Sequence, residues 1–256
     1  MLTFTGAAGG DAGNVLLLHA FPVSAQMWEP QLAPLAESGY RVVAPYVYGF
    51  DSSPSRPGWS MEDYARDLAR LVEALDWSSA TVAGLSMGGY QALAFYRLFP
   101  ELIDSLVLCD TRANADSPEV LAGRQQFRNA VMEKGSEEAA ARMVPNFFAK
   151  ESYASNQPLV EKTRESIVRQ APEEISEAMR AIAERKDSTE LLTEIACPAL
   201  IINGMEDTVT TPEVAAGMHA LIPGSKLELI PEAGHLSNLD QPAMFNGILL
   251  EHLQSL

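Results

Sequence analysis

At 256 residues and 47% hydrophobic content, the chain has room for one large α/β domain or two small ones and apolar surface enough for a sizeable core. Its 34 acidic against 18 basic side chains give a net charge of -16, which repels phosphate backbones and anionic lipid and so excludes nucleic acid and membrane surfaces as expected partners. The two cysteines, Cys109 and Cys197, form no ligand-spaced cluster and are expected to be buried thiols; with no basic segment leading into a long apolar stretch at the N-terminus, the expectation is a soluble, cytoplasmic protein.

Residues 2–5 suit a short strand, and 6–13 form a turn-rich connector. Its Gly-Ala-Ala-Gly-Gly run precedes a strand instead of joining strand to helix, so it is no phosphate loop. Residues 15–18 (Val-Leu-Leu-Leu) have the continuous apolar pattern of a strand buried on both faces, and they end at His19-Ala20-Phe21-Pro22. A helix is expected over 27–37 and a strand over 41–45. Ser60 caps a further helix, with acids in its first turn and apolar residues at Tyr64, Leu68, Leu71, Val72 and Leu75. A strand through Thr81-Val82-Ala83 leads into a helix that Pro100 stops, and 103–109 is another buried strand.

The alternation then breaks. From about 112 to 185 no comparable strand occurs, and Pro118, Pro145, Pro158 and Pro172 divide the segment into four or five short helices. Alternation resumes with a strand at 199–202, a helix over 212–221 behind Thr211, a strand at 226–230 and a closing helix over 241–253. The expected fold class is α/β: a mainly parallel central sheet with helices on both faces, residues 1–111 and 191–256 forming the core and 112–190 a helical cap between core strands.

Between the third core helix and the strand before it lies Gly84-Leu85-Ser86-Met87-Gly88, the one match to G-x-S-x-G. The pattern needs small residues two before and two after the serine, because side chains there would collide in a tight strand-to-helix turn; Gly89 adds slack. By itself the pentapeptide equally fits a Gly/Ser-rich loop. A serine hydroxyl is a poor nucleophile without a base in reach and a third group to orient that base. Of four histidines, His219 and His252 lie in helices and read as surface residues, and His19 ends a core strand. His235 follows the 226–230 strand and would reach the carboxyl edge of the sheet, where ligand groups collect, so it is the candidate base. Asp207 follows the preceding strand at the same edge and is the candidate orienting acid over its neighbour Glu206. Asp110, after the 103–109 strand, is the rival acid, with an N-cap or turn residue as its alternative reading.

The order Ser86, Asp207, His235 is that of nucleophile-elbow hydrolases. With these motifs the chain, from Val15 to Leu253, resembles a capped member of the α/β-hydrolase superfamily. Leu-Ser-Met-Gly-Gly, Met-Trp-Glu-Pro-Gln-Leu at 27–32 and Ala-Gly-His most resemble the branch containing bacterial carboxylesterases, 3-oxoadipate enol-lactonases and cofactor-free perhydrolases. The resemblance implies a small ester or lactone as substrate and an oxyanion hole made by the backbone N–H groups of Phe21 and Met87. It also implies a loop-stabilising His19, with Ala20 in place of the usual glycine. No metal or organic cofactor is expected, and the oligomeric expectation is a monomer or small homo-oligomer.

One loop departs from the family. Where relatives carry Asp-x-Arg-Gly-x-Gly-x-Ser, residues 46–53 read Tyr-Val-Tyr-Gly-Phe-Asp-Ser-Ser, so the turn is expected to lose an ion pair and a permissive backbone position. The preferred reading is drift in a structural turn, and the other is a pocket reshaped by Tyr46 and Tyr48. Within the insertion, Met143-Val144-Pro145-Asn146-Phe147-Phe148 is the first candidate for pocket lining. Perhydrolysis, C–C bond hydrolysis and a ligand-sensing receptor with little turnover are the alternative functions.

Overall fold

Strands β1 (Phe4–Ala7), β2 (Gly13–Leu18), β3 (Tyr40–Pro45), β4 (Ala80–Leu85), β5 (Ile103–Cys109), β6 (Ala199–Gly204) and β7 (Lys226–Ile230) form one sheet in the order β1-β3-β2-β4-β5-β6-β7. The structure, a computed structural model, describes residues 2–256; Met1, the first residue of the expected core segment, lies outside them. Only β1 is antiparallel to its neighbour. Every residue of β4 is buried, as a parallel strand covered on both faces requires. Because the chain steps from β2 out to β3 and then back across to β4, the winding direction reverses between β2 and β4. Crevices form at such a reversal, beyond the carboxyl ends of the strands.

The connecting helices are α1 (Glu29–Glu37), α2 (Met61–Ala74), α3 (Met87–Leu98), α9 (Pro212–Leu221), α10 (Ser237–Asp240) and α11 (Pro242–Gln254). Local chemistry sets their ends. Ser60 and Asp63 form a reciprocal capping box at the start of α2, and Met61, Tyr64, Ala65, Leu68, Leu71 and Val72 make its buried stripe. Full burial of Leu68 and Leu71 stabilises the fold by about 1.5–3 kcal/mol each. Between β5 and β6 stand α4 (Pro118–Lys134), α5 (Ser136–Met143), α6 (Lys150–Ser155), α7 (Gln157–Val168) and α8 (Pro172–Ala183), where four or five short helices were expected.

Three expectations need correction. His252 is buried, not at the surface: its Nε2 lies 2.7 Å from the hydroxyl of Ser105 in β5, a partner 147 positions away that no local pattern reveals. Cys197 is only half-buried, since the turn before β6 leaves it at the surface, whereas Cys109 in β5 is fully buried. The 46–53 turn keeps the left-handed backbone position it was expected to lose, while among the described residues no ion pair forms within it. Asp51 itself adopts φ 48, a left-handed conformation that Asp tolerates better than most residues, and Arg56 bonds the Tyr48 hydroxyl and pairs with Asp63 and Asp67 at 3.2 Å. Tyr48 is buried edge-on against Trp59 and Tyr64, which favours the structural reading of this loop.

The insertion is tied to the core by polar contacts. Gln170 accepts from Asp51 N–H at 2.9 Å, Glu177 accepts from Gly58 N–H at 2.8 Å, and Arg180 donates to Trp59 O at 2.6 Å. At its base, Asp116 takes bidentate bonds from Arg185 at 2.8 and 2.9 Å and further bonds from Arg124, while the Arg185 guanidinium stacks 4.3 Å from the Tyr90 ring. Burial pushes the Asp116 carboxyl up, but the two arginines outweigh it and hold it at about 2, below the 3.8 of an unperturbed carboxyl. A folded value below the unfolded one means stabilisation that is complete above about pH 4 and lost as pH falls through about 2. Asp116→Asn also leaves buried Arg185 without its carboxylate. The unfolding free energy of the wild type should therefore exceed that of the variant by about 3–5 kcal/mol near neutral pH. That difference should shrink by about 2 kcal/mol between pH 4 and pH 2. Urea midpoints measured across that range check this, and a difference that stays constant with pH contradicts it.

Candidate active site

Ser86 sits between the last residue of β4 and the first of α3 with φ 56 and ψ -111, a backbone conformation that costs a non-glycine residue about 1–3 kcal/mol. The surroundings fix it there. Ser86 N–H donates to Cys109 O at 2.9 Å, and Ser86 O accepts from Gly89 N–H at 2.9 Å and from the Thr111 hydroxyl at 2.7 Å. A Cβ on Gly84 would overlap the Gly88 carbonyl, and one on Gly88 would overlap the Leu18 carbonyl at the end of β2. Gly89, expected only to add slack, is equally constrained, since a Cβ there would overlap the Thr111 side chain.

His235 lies in the loop after β7, 2% exposed. Its Nε2 is 2.9 Å from Ser86 Oγ, and its Nδ1 is 2.9 Å from Asp207 Oδ2. An ionised carboxylate only accepts, so Nδ1 carries the hydrogen and Nε2 is left to accept from the serine hydroxyl. Asp207 is held in turn: Oδ1 accepts from Val209 N–H at 2.7 Å and Thr210 N–H at 3.0 Å, and Oδ2 from the Thr210 hydroxyl at 2.6 Å. Burial would push its carboxyl up. The attraction of His235 and the bonds from His235 and Thr210 outweigh burial and hold it below the usual carboxylate range.

The rival acids lie elsewhere. Glu206 accepts from Lys150 N–H at 3.1 Å. Asp110 is bonded to Gly204 N–H and to Ser237, not to His235. Phe21 follows β2 and Met87 opens α3, both buried, on the two sides of the β2–β4 reversal; the Met87 N–H belongs to the first turn, which has no intrahelical acceptor. His19 bridges this region to the turn after β3: Nδ1 bonds Ala20 O at 2.9 Å and Nε2 accepts from Val47 N–H at 3.1 Å. Burial pushes its imidazole down to about 4, so it stays neutral in that bridge. Ala20 is absent from the positive-φ residues, so the missing glycine costs no left-handed strain.

Of the expected pocket segment, Phe147 stacks on His235 with ring centroids 6.1 Å apart, and its carbonyl accepts from Leu236 N–H at 2.9 Å. Two contributors escaped sequence reasoning. Thr210, three residues after Asp207, had a signal in the Asp side chain's habit of accepting from N–H groups two and three residues on. Asp240 had none: it collects Gly234 N–H at 2.7 Å, Ala149 N–H at 2.9 Å and the Ser152 hydroxyl at 2.5 Å, joining the His235 loop to the insertion. Among the described residues, no group of three or more His, Cys, Asp or Glu side chains is arranged to hold a metal ion.

A base bonded to a hydroxyl on one side and to a fixed carboxylate on the other has the bonds that general-base activation requires. Comparison with known proteins identifies the fold and the general class. A family-wide sequence model described as "alpha/beta hydrolase fold" matches residues 13–242. The chain is 30% identical over 254 residues to 3-oxoadipate enol-lactonase 1 of Acinetobacter baylyi, covering 96% of this chain and 90% of the relative. Among solved structures it is similar to a thermophilic esterase from Thermogutta terrifontis, with a TM-score of 0.95 and 36% identity over 99% of this chain and 93% of that one. It is also similar to the enol-lactonase from Burkholderia xenovorans LB400, with a TM-score of 0.91 and 25% identity over 99% and 96%. The fold, the strand order and the family match agree: the chain is a hydrolase of the alpha/beta hydrolase fold family.

Proposed function

We propose that the protein is a serine hydrolase of small carboxylic esters or lactones, with Ser86, His235 and Asp207 as its catalytic triad. The observation that carries this reading is the position of His235, bonded at 2.9 Å to both Ser86 Oγ and Asp207 Oδ2. Ser86 Oγ attacks the ester carbonyl while His235 Nε2 takes its proton, and Asp207 stabilises the imidazolium that results. The tetrahedral oxyanion is held by the N–H groups of Phe21 and Met87, a pair of donors worth about 3–4 kcal/mol each at the transition state. His235 then gives its proton to the leaving alkoxide, and water attacks the acyl-enzyme by the same relay in reverse. Residues 112–190 act as a cap over this edge of the sheet. Phe147 on His235 supports that placement, and the stacked ring also keeps water from the imidazole.

A series of p-nitrophenyl esters of increasing acyl length tests the reading. Wild-type protein should turn over many times, Ser86→Ala should lose nearly all turnover, and Asp207→Asn should lose about 10³–10⁴-fold in kcat by releasing the imidazole tautomer. Folded wild type that is as inert as Ser86→Ala toward both esters and lactones would sink it.

The elbow gives a second test. Gly88→Ala drives a methyl into the Leu18 carbonyl. It should lower stability by about 1–3 kcal/mol, and labelling of Ser86 by a fluorophosphonate should slow sharply. Unchanged melting temperature and labelling rate would show that the turn has room that the geometry denies.

A further inference from the structure

A second buried carboxyl, Asp110 at the end of β5, stands beside the site and takes no part in the reaction described above. It is 1% exposed, adopts φ 43, and has no lysine or arginine among its hydrogen-bond partners. Its backbone N–H extends the sheet by donating to Ile202 O at 2.9 Å. Its side chain then leaves β5 sideways. Oδ1 accepts from Gly204 N–H at 2.8 Å, and Oδ2 is hydrogen-bonded to the Ser237 hydroxyl.

Those partners sit at two decisive places. Gly204 closes the turn that presents Asp207, since Gly204 O accepts from Asp207 N–H at 3.1 Å. Ser237 opens α10 two residues beyond His235. The two loops also abut: a Cβ on Gly204 would overlap the carbonyls of Ala233 and Gly234. One side chain thus spans the separation on which the His235–Asp207 bond depends.

We propose that Asp110 is a positioning residue for Ser86, His235 and Asp207, clamping the turn that carries Asp207 to the loop that carries His235. The inference rests on the hydrolase reading of the site. A carboxyl is a costly choice for a buried position without a cation, because the charged form is poorly solvated there. Here burial, and after it the charge of Asp207, push the Asp110 carboxyl well above its usual range against the bonds from Ser237 and Gly204. Of the two neighbouring carboxyls, Asp207 is the one whose proton affinity its partners lower and Asp110 the one whose proton affinity burial raises. What remains for Asp110 is geometry. A shift of about 1 Å in catalytic groups costs about 10²-fold in rate, which sets the scale of the effect.

The test uses the full-length protein and an ester that the wild type turns over, with kcat, KM and melting temperature recorded for Asp110→Ala, Asp110→Asn, Ser237→Ala and the Asp110→Ala/Ser237→Ala double variant. Asp110→Ala should lower kcat about 10- to 100-fold with KM within about threefold. Asp110→Asn, a neutral group of the same shape, should restore kcat to within about fivefold of wild type. Ser237→Ala should lose less than Asp110→Ala, and the double variant should be no slower than Asp110→Ala, because the two residues act through one bond. A folded Asp110→Ala with wild-type kcat overturns the inference, as does an Asp110→Asn no faster than Asp110→Ala. If Asp110→Ala fails to fold, Ser237→Ala decides: reduced kcat at unchanged melting temperature supports the clamp, and wild-type kcat overturns it. An inert wild type would remove the hydrolase reading and this inference together, whereas an active wild type with unaffected variants removes the inference alone.

Discussion

The backbone turn at Ser86 is the constraint on which the arrangement depends. A non-glycine residue at φ 56 is held only because its neighbours leave it no alternative: Cys109 and Thr111 bond its backbone, Gly84 lets the turn close on Gly88, and Gly88 and Gly89 let Leu18 and Thr111 approach within what would be a side chain's space. Strain of about 1–3 kcal/mol is small beside the burial of the whole β4 strand on which the turn is mounted, so the sheet fixes the turn and not the reverse. Its consequence is a hydroxyl raised above the carboxyl edge, at the point where the strand order reverses.

His235 and Asp207 come to that edge because β6 and β7 run parallel to β4 and end at the same edge of the sheet, past the level of Leu85. Parallel order alone leaves loops free to wander, and here they are not free. Thr210 holds Asp207 from one side and Asp110 holds the bases of both loops from below. Asp240 then fastens the His235 loop to Ala149 and Ser152 of the helical insertion. Contacts that hold the His235 loop therefore also anchor the segment stacked upon its imidazole.

Much of this was legible in the sequence, and for physical reasons. The strands at 103–109 and 226–230 and the helix at 212–221 have the ends that apolar runs and end signals indicated, because burial and capping are local in the chain. Ser86, His235 and Asp207 could be singled out from order and placement after strands, and the fold, which brings strand ends together whatever lies between them, sets them within hydrogen-bond distance. What escaped depends on partners distant in the chain. Ser105 and His252 meet across 147 positions, Asp110 and Ser237 across 127. The 46–53 turn was misjudged at its backbone for a local reason: Asp51 itself tolerates the left-handed conformation, and an arginine at 56, just outside the motif being compared, bonds Tyr48.

The central claim is that one serine, one imidazole and two backbone N–H groups converge on a single reacting carbon. Its most direct test is a crystal structure of the protein after inactivation by a small alkyl phosphonate ester, whose adduct mimics the tetrahedral intermediate. The account predicts phosphorus bonded to Ser86 Oγ, with the phosphonyl oxygen about 2.7–3.1 Å from the nitrogens of both Phe21 and Met87. An adduct on another residue, or a phosphonyl oxygen turned away from those two groups, would contradict it.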